Sequence, residues 1–286
     1  MISNIIDSIQ KIAVEINKII KHSNFDYTGT KNHTGDNQLK LDVEANAIFK
    51  NFLLEIENIK GICSEEEEEI IYKNEALGNY IIAFDPLDGS SIIDSNLSVG
   101  SIFGIYNEKL KAASIIASGY IVYGPRLEMV FAKDSVERYL YDGEKWQILG
   151  NIKLNEKGNI NASGGTQQNW PLHHKILIES LFLEGYRLRY SGGMVPDLHN
   201  ILIKGGGLFS YPSTKDAPNG KLRAFFEVFP FAFIFEKALG EAIDGENRLL
   251  DSEIEELHQS TKCFFGSKYE IQKVKLAYKG KENGGN

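Results

Sequence analysis

The sequence predicts an α/β protein of two lobes, and three observations carry that expectation. The chain opens on an amphipathic helix, with Ile5, Ile9, Ile12, Ile16 and Ile19 at helical spacing. Between residues 80 and 148, apolar runs of strand length alternate with turns. A polar stretch, NIKLNEKGNINASGGTQQNW, then separates this β-rich half from one in which helical and strand-like segments alternate. The expected division is an N-terminal lobe over 1–152, a C-terminal lobe over 153–280 and a disordered tail over 281–286.

After the first helix, residues 22–40 are polar and rich in Gly, Asn and Thr, which predicts a long loop. A second helix is expected from Asp42 as N-cap, burying Ala45, Phe49, Phe52 and Ile56. NIKGIC reads as a short strand ahead of the run SEEEEE. NYIIAF, SVGSIFGIYN, SIIASGYIVYG, LEMVFA and VERYLYDGEKWQI follow as strands. In the second half, HHKILIESLFLEG and DLHNILIKGG read as helices, YRLRYS as a strand or turn, and GLFSYPS as a strand. AFFEV runs into a further helix, with Pro230 suited to its first turn and Gly240 to its C-terminal cap.

The totals exclude several classes of function. A formal charge of −8 gives no electrostatic reason to expect nucleic acid or an anionic membrane as partner. Cys63 and Cys263 have no metal-binding or redox spacing and read as two reduced thiols of a cytoplasmic protein. The start MISNIIDSIQ lacks the parts of a signal peptide, and VFPFAFIF, the longest uncharged apolar stretch, is too short to span a bilayer. There is no Walker phosphate loop, no Rossmann glycine fingerprint, no zinc spacing and no Cys-x5-Arg.

The chemistry concentrates in FDPLDGSS, residues 84–91. Asp85 and Asp88 leave an apolar run together, and two anions about 4 Å apart repel by roughly 1 kcal/mol even in water. A plain surface turn, with Pro86 fixing φ, Gly89 left-handed and Ser90 capping a helix, is one reading. Two carboxylates with the intervening Leu87 carbonyl also suit a hard divalent cation. The N–H groups of Gly89, Ser90 and Ser91 would then face a phosphate. Glu65 and Glu66 follow directly from a strand and could reach the same place, whereas Glu67 to Glu69 read as solvated. Asp36, Asp42 and Glu227 have ordinary explanations as a turn, a cap and a helix-dipole partner. In the second half, Arg187, Arg189 and Tyr190, then Tyr211, then Lys221 and Arg223 interleave bases with tyrosines, a composition suited to phosphate.

FDPLDGSS resembles the metal-binding signature of the lithium-sensitive sugar and inositol phosphatases. GDNQLKLDVEAN, SEE, GSIFGIY, SGYIVYG, RYSGGMVPDLH, YPS, GKLRAFFEVFPFAF and LHQS narrow the resemblance to the class I fructose-1,6-bisphosphatase family, in the same order from about residue 5 to 275. The resemblance implies a layered α-β-α-β-α sugar phosphatase fold of two lobes, a homotetramer, and a cytoplasmic, Mg2+-dependent enzyme. Mn2+ or Zn2+ are possible substitutes. The implied reaction is hydrolysis of the 1-phosphate of fructose 1,6-bisphosphate by a metal-activated water, a gluconeogenic step.

By position, Asp85, Asp88 and Glu227 would hold one Mg2+, and Glu65, Asp85 and the Leu87 carbonyl a second. Asp36 and Glu65 would support a third, while Asp42 and Glu66 orient and deprotonate the water. Gly89, Ser90 and Ser91 would lie at the 1-phosphate with Arg223 near it. Lys221, Met194, Tyr190 and Tyr211 would cradle the sugar and its 6-phosphate, and Arg189 would be lent by a neighbouring subunit.

The match departs from the family in places. NASGGTQQ leaves open whether Asn161 or Ser163 takes the place of a phosphate-binding Asn. Ile92 replaces an Asn and Ser260 an Arg. Members inhibited by AMP carry a Thr-Gly-acidic-Leu segment ahead of the first helix, and a Lys and an Arg where this chain has Asn79 and Asn107, so AMP inhibition through that site is not expected. The rival readings are a sedoheptulose-1,7-bisphosphatase, alone or bifunctional, and a non-catalytic sugar-phosphate sensor. An inositol monophosphatase fits DPLDG but not the second basic cluster.

Overall fold

The computed structural model describes residues 2–22, 27–31, 37–73 and 78–280. Asp36 and the tail 281–286 lie outside them. Helix α1, Ile2–His22, buries Ile5, Ile9, Ile12, Ala13 and Ile16 as its 3.6-residue period requires. Two short strands, β1 (Tyr27–Lys31) and β2 (Asn37–Leu39), pair antiparallel within the stretch expected to be a loop. No alternating apolar pattern marks YTGTK or NQL, so periodicity could not find them. Helix α2 spans Lys40–Leu54, which puts Asp42 inside its first turn instead of at its cap. Its buried stripe is Leu41, Ala45, Phe49 and Leu53, so Phe52 is only partly covered and Ile56 lies beyond the helix.

The N-terminal half then builds one large sheet. Its strands are β3 (Ile59–Ser64), β4 (Ile71–Tyr72), β5 (Tyr80–Asp88), β6 (Val99–Asn107), β7 (Ile115–Tyr123), β8 (Leu127–Ala132), β9 (Val136–Tyr141) and β10 (Trp146–Asn151). The spatial order is β10-β9-β8-β7-β6-β5-β3-β4, antiparallel throughout except where β3 runs parallel to β5.

The C-terminal half contributes β11 (Ile160–Ser163), α3 (Leu172–Leu183), β12 (Arg187–Leu188), α4 (Met194–Ile203), β13 (Gly207–Tyr211), β14 (Leu222–Arg223), α5 (Phe229–Lys237), β15 (Glu241–Ile243), β16 (Ser260–Thr261), β17 (Cys263–Gly266) and α6 (Lys268–Tyr278). Five of these strands form a second sheet, β12-β11-β13-β17-β15, parallel at β12-β11-β13 and antiparallel beyond. β14 and β16 make a separate antiparallel pair.

Strand alternation sorts the apolar residues into three layers of core. One face of the large sheet, with Ile82, Phe84, Phe103, Ile105, Ile121 and Met129, packs under α1 and α2. The opposite face, with Ile81, Ala83, Ile102, Tyr120 and Val130, meets α4 and α5, which in turn cover Phe209 and Phe265 of the second sheet. The outer face of that sheet, with Leu208 and Phe264, is closed by α3 and α6. Helices, sheet, helices, sheet and helices therefore stack as the expected five layers. Helix α5 ends at Lys237, and the left-handed residue after its cap Ala238 is Leu239 (φ +72°) in place of the expected Gly240.

Candidate active site

The aspartate pair sits on a strand and not on a turn. β5 runs as far as Asp88, and its register against β6 shifts between Asp85, opposite Ile102, and Asp88, opposite Gly100. Three steps on β5 thus face two on β6, a β-bulge made by Pro86 and Leu87. A bulge re-aims side chains, and this one leaves both carboxylates buried. Pro86, which has no N–H to offer a ladder, instead gives its carbonyl to the Ser101 hydroxyl at 2.7 Å. Asp85 Oδ1 accepts the Leu87 N–H at 2.9 Å. Gly89 then turns the chain with φ +84°, and Ser90–Ser95 form a single short 3-10 stretch with no side-chain cap at Ser90.

Three further segments converge on the bulge. The β3 end delivers Glu65, whose N–H bonds the Phe84 carbonyl at 3.0 Å, followed by Glu66. Glu67, expected to be solvated, is instead bonded by Asn46 at 2.9 Å and paired with Lys50, both on α2; Glu68 and Glu69 are exposed as expected. The N-terminus of α4 turns its first N–H groups onto Asp88: Met194 donates at 3.2 Å and Val195 at 2.6 Å. A π-helical turn over Ala224–Val228, directly ahead of α5, carries Glu227, whose carboxylate accepts the Arg223 N–H. Such turns widen a helix by one residue and recur at functional sites.

Asp85, Asp88 and Glu227 each offer an oxygen within 4.8 Å of the others, and all three are buried. Desolvation, then the charge of Glu65, raises the Asp85 carboxyl well above the usual carboxylate range. Glu227 is raised for the same two reasons. Desolvation pushes Asp88 up to about 6 against the two α4 N–H groups that favour its charged form. Glu65 rises to about 7, chiefly by desolvation, with Arg223 opposing. Arg223 Nε stands 4.0 Å from Glu65, and the guanidinium also donates to the His258 carbonyl (3.2 Å) and the Ser260 hydroxyl (2.6 Å). One arginine against four acids leaves like charge uncompensated. All-oxygen donors crowded in this way fit a divalent cation of the hard kind.

The four acids line a cavity of about 370 Å³. Asp42, Glu65, Glu66, Asp85, Leu87, Asp88, Gly89, Ser90, Ser91 and Glu227 line it, together with Tyr190, Met194, Tyr211 and Lys221. Of the residues expected at the site, Arg223 is beside Glu65 but not among the residues lining the cavity, and Arg189 is exposed and outside the cavity of its own chain. Gly192, Gly193, Phe209 and Leu222 also line the cavity and were not singled out from the sequence. The S-G-G ahead of α4 was the available signal for the first two. Asp197, reaching back from the first turn of α4, accepts the Ser191 N–H at 2.8 Å and fixes that loop. Ser163, with Asn161 behind it, is buried and hydrogen-bonded to Ser210, and neither lines this cavity.

Two family models match the chain: fructose-1-6-bisphosphatase, N-terminal domain, over residues 1–151, and fructose-1-6-bisphosphatase, C-terminal domain, over residues 154–279. The class 1 fructose-1,6-bisphosphatase of Helicobacter hepaticus is 59% identical over 97% of this chain and 100% of its own length. That of Campylobacter jejuni serotype O:2 is 52% identical over 96% of this chain and 98% of its own. The crystal structure of Leishmania major fructose-1,6-bisphosphatase in holo form superposes with a TM-score of 0.91 at 33% identity, covering 96% of this chain and 94% of that one. Matched by these models along nearly its whole length and 59% identical to one curated member, the chain belongs to the class 1 fructose-1,6-bisphosphatase family.

Proposed function

We propose that this protein hydrolyses the 1-phosphate of fructose 1,6-bisphosphate to fructose 6-phosphate and inorganic phosphate, a gluconeogenic step. The observation that carries the reading is one cavity lined by two unlike sets of groups. Three buried carboxylates crowd within 4.8 Å, and Lys221, Tyr190 and Tyr211 line the same cavity. Carboxylates alone would repel a sugar phosphate. A cation held between them would reverse the sign there, and the lysine and tyrosines offer donors to a second phosphate. A sugar carrying two phosphates suits both.

Asp85, Asp88 and Glu227 are the proposed ligands of one Mg2+, and Glu65, Asp85 and the Leu87 carbonyl of another, with Asp36 and Glu65 supporting a third. Mn2+ and Zn2+ are the proposed substitutes. A bound divalent cation supplies charge neutralisation on the phosphoryl oxygens and acidifies water. The protein's own part is positioning. Asp42 and Glu66, on the cavity wall, orient the attacking water and take its proton, while Gly89, Ser90, Ser91 and Arg223 hold the 1-phosphate. Tyr190, Met194, Tyr211 and Lys221 fix the sugar and its 6-phosphate.

A homotetramer in which Arg189 completes a neighbour's 6-phosphate site is supported by its exposure outside the cavity of its own chain. The division into lobes at 152/153 fits the end of β10 at Asn151 and the start of the second sheet at Ile160. A cytoplasmic location fits two buried, unpaired cysteines; among the described residues no helix is long and apolar enough to cross a membrane.

The test is inorganic phosphate released from fructose 1,6-bisphosphate, with Mg2+ and then with excess chelator. Sedoheptulose 1,7-bisphosphate and inositol 1-phosphate are run beside it. Release from the fructose compound that stops with chelator is expected. A higher kcat/KM on the sedoheptulose compound would reassign the substrate, and no release from any compound by folded protein would favour the sensor.

A further inference from the structure

The π-helical turn that delivers Glu227 has a defect in its own ladder. In this register each carbonyl accepts the N–H five residues on, and Ala224 duly accepts from Phe229. The next carbonyl, Phe225, should accept from residue 230. Residue 230 is proline, which has no N–H. The tighter α-register would need the Phe229 N–H, already given to Ala224. The helix therefore offers Phe225 no donor, in the middle of a layer where the flanking side chains Ala224 to Val228 are all buried.

The missing donor comes from another element. The Tyr106 hydroxyl, at the end of β6 and 119 residues away in sequence, donates to the Phe225 carbonyl at 3.0 Å. Tyr106 is completely buried, and its ring meets that of Phe225 edge-on at 6.1 Å. Room for it is made two residues earlier. A Cβ on Gly104 would stand 2.9 Å from the Tyr106 ring, 3.2 Å from its hydroxyl oxygen and 3.2 Å from Pro230 Cγ. Gly104, Tyr106 and Pro230 are thus one device: the proline forbids the local bond, the glycine clears the space, and the tyrosine replaces the bond from the sheet.

We infer that Tyr106 is a positioning residue for Glu227, pinning the π-helical turn to β6 so that the Glu227 carboxylate meets Asp85 and Asp88. The bulge carrying those aspartates lies on β5, which pairs with β6 from Tyr80–Asn107 to Asp88–Gly100. One strand therefore references both halves of the carboxylate cluster. Without the hydroxyl, the turn is free to close into the α-register and give Phe225 the Phe229 N–H. That change rotates Glu227 about the helix axis, away from the cluster. The inference rests on the reading of Glu227 as a cation ligand, so its test must separate the two.

The test is direct Mn2+ binding by calorimetry, with the cation-free melting temperature, for the wild type, Tyr106→Phe and Glu227→Gln. Tyr106→Phe is expected to weaken Mn2+ about tenfold, as loss of a partner behind a ligand does. A packing role alone would lower the melting temperature and leave the affinity unchanged, which would overturn the inference. If Glu227→Gln weakens Mn2+ and Tyr106→Phe does not, Glu227 remains a ligand and the positioning role fails. If neither weakens it, the ligand reading fails, and the inference with it. Pro230→Ala restores an N–H at the position the ladder lacks, so in that background Tyr106→Phe should change Mn2+ affinity by less than about twofold. A tenfold loss there would overturn the carbonyl-pairing account, and this pair also decides the question should Tyr106→Phe alone fail to fold.

Discussion

Val195 gives its backbone N–H to Asp88 Oδ2 at 2.6 Å, although the two residues are 107 apart in sequence. The bond joins the first turn of α4 to the bulge of β5. It places a helix N-terminus, with its partial positive charge, against a buried carboxylate. The lobes are therefore coupled through the same side chain that is proposed to hold the cation.

Asp88→Asn should lower kcat by at least about a hundredfold, with the fold intact by circular dichroism. The amide oxygen can accept from only one of Met194 and Val195, so the melting temperature should fall by a few degrees as well. Turnover close to that of the wild type would sink the ligand assignment.

Gly100→Ala tests the packing behind that contact. An added Cβ would stand 2.3 Å from Val195 Cγ1 and 2.5 Å from the Ile121 carbonyl, and the latter is backbone that cannot swing away. A loss of about 1–3 kcal/mol in urea unfolding is expected, together with reduced kcat because α4 must retreat from Asp88.

The carboxylate cluster should make the cation-free protein pH-sensitive. Glu65 and Asp88, at about 7 and about 6 when folded, bind protons more tightly than in the unfolded chain. Their contribution is full below the unfolded carboxylate range of about 4, falls as pH rises from there, and is lost by pH 6 to 7. Melting temperature without metal should therefore drop across that window. Adding Mg2+ should raise it most above pH 7, and a Mg2+ effect equal at pH 5 and 8 would contradict this.

His174 should act in the opposite direction. Burial lowers it to about 3, where its neutral ring meets the Tyr278 hydroxyl at 3.0 Å. The unfolded chain takes up a proton near pH 6.5 that the folded one refuses, so stability is complete above that pH and falls toward pH 3. The slope should be about 1.4 kcal/mol per pH unit. His174→Phe should be less stable at pH 8, with the Tyr278 hydroxyl left wanting a partner, yet lose less than the wild type on acidification.

Arg189→Ala should raise KM for the bisphosphate several-fold with little change in melting temperature, since the side chain is exposed and, among the described residues, bonds the neighbouring Leu188 carbonyl. Unaltered KM would contradict the shared site.

Much of the molecule was legible because it rests on local periodicity. The isoleucines of α1 specify an element and its buried face, and the apolar runs of β5 to β8 and the apolar block of α5 specify elements buried on all sides. β1 and β2 escaped because their pairing is between backbones and needs no apolar pattern. Glu67 was misread because its partners Asn46 and Lys50 lie on α2, about twenty residues earlier in the chain.

The residue types at the site were likewise fixed by the chain itself: acids after β3 and β5, bases and tyrosines in the second half. Their geometry was not. A bulge in place of a turn at Pro86–Leu87, and a π-register in place of an α-register at Ala224–Val228, are one-residue differences in hydrogen-bond pairing. Each is held by a donor from elsewhere in the fold, Ser101 for Pro86 and Tyr106 for Phe225. Sequence determines which groups can pair; which of them do is decided when the layers close, because a buried carbonyl takes whichever donor the packed structure brings to it.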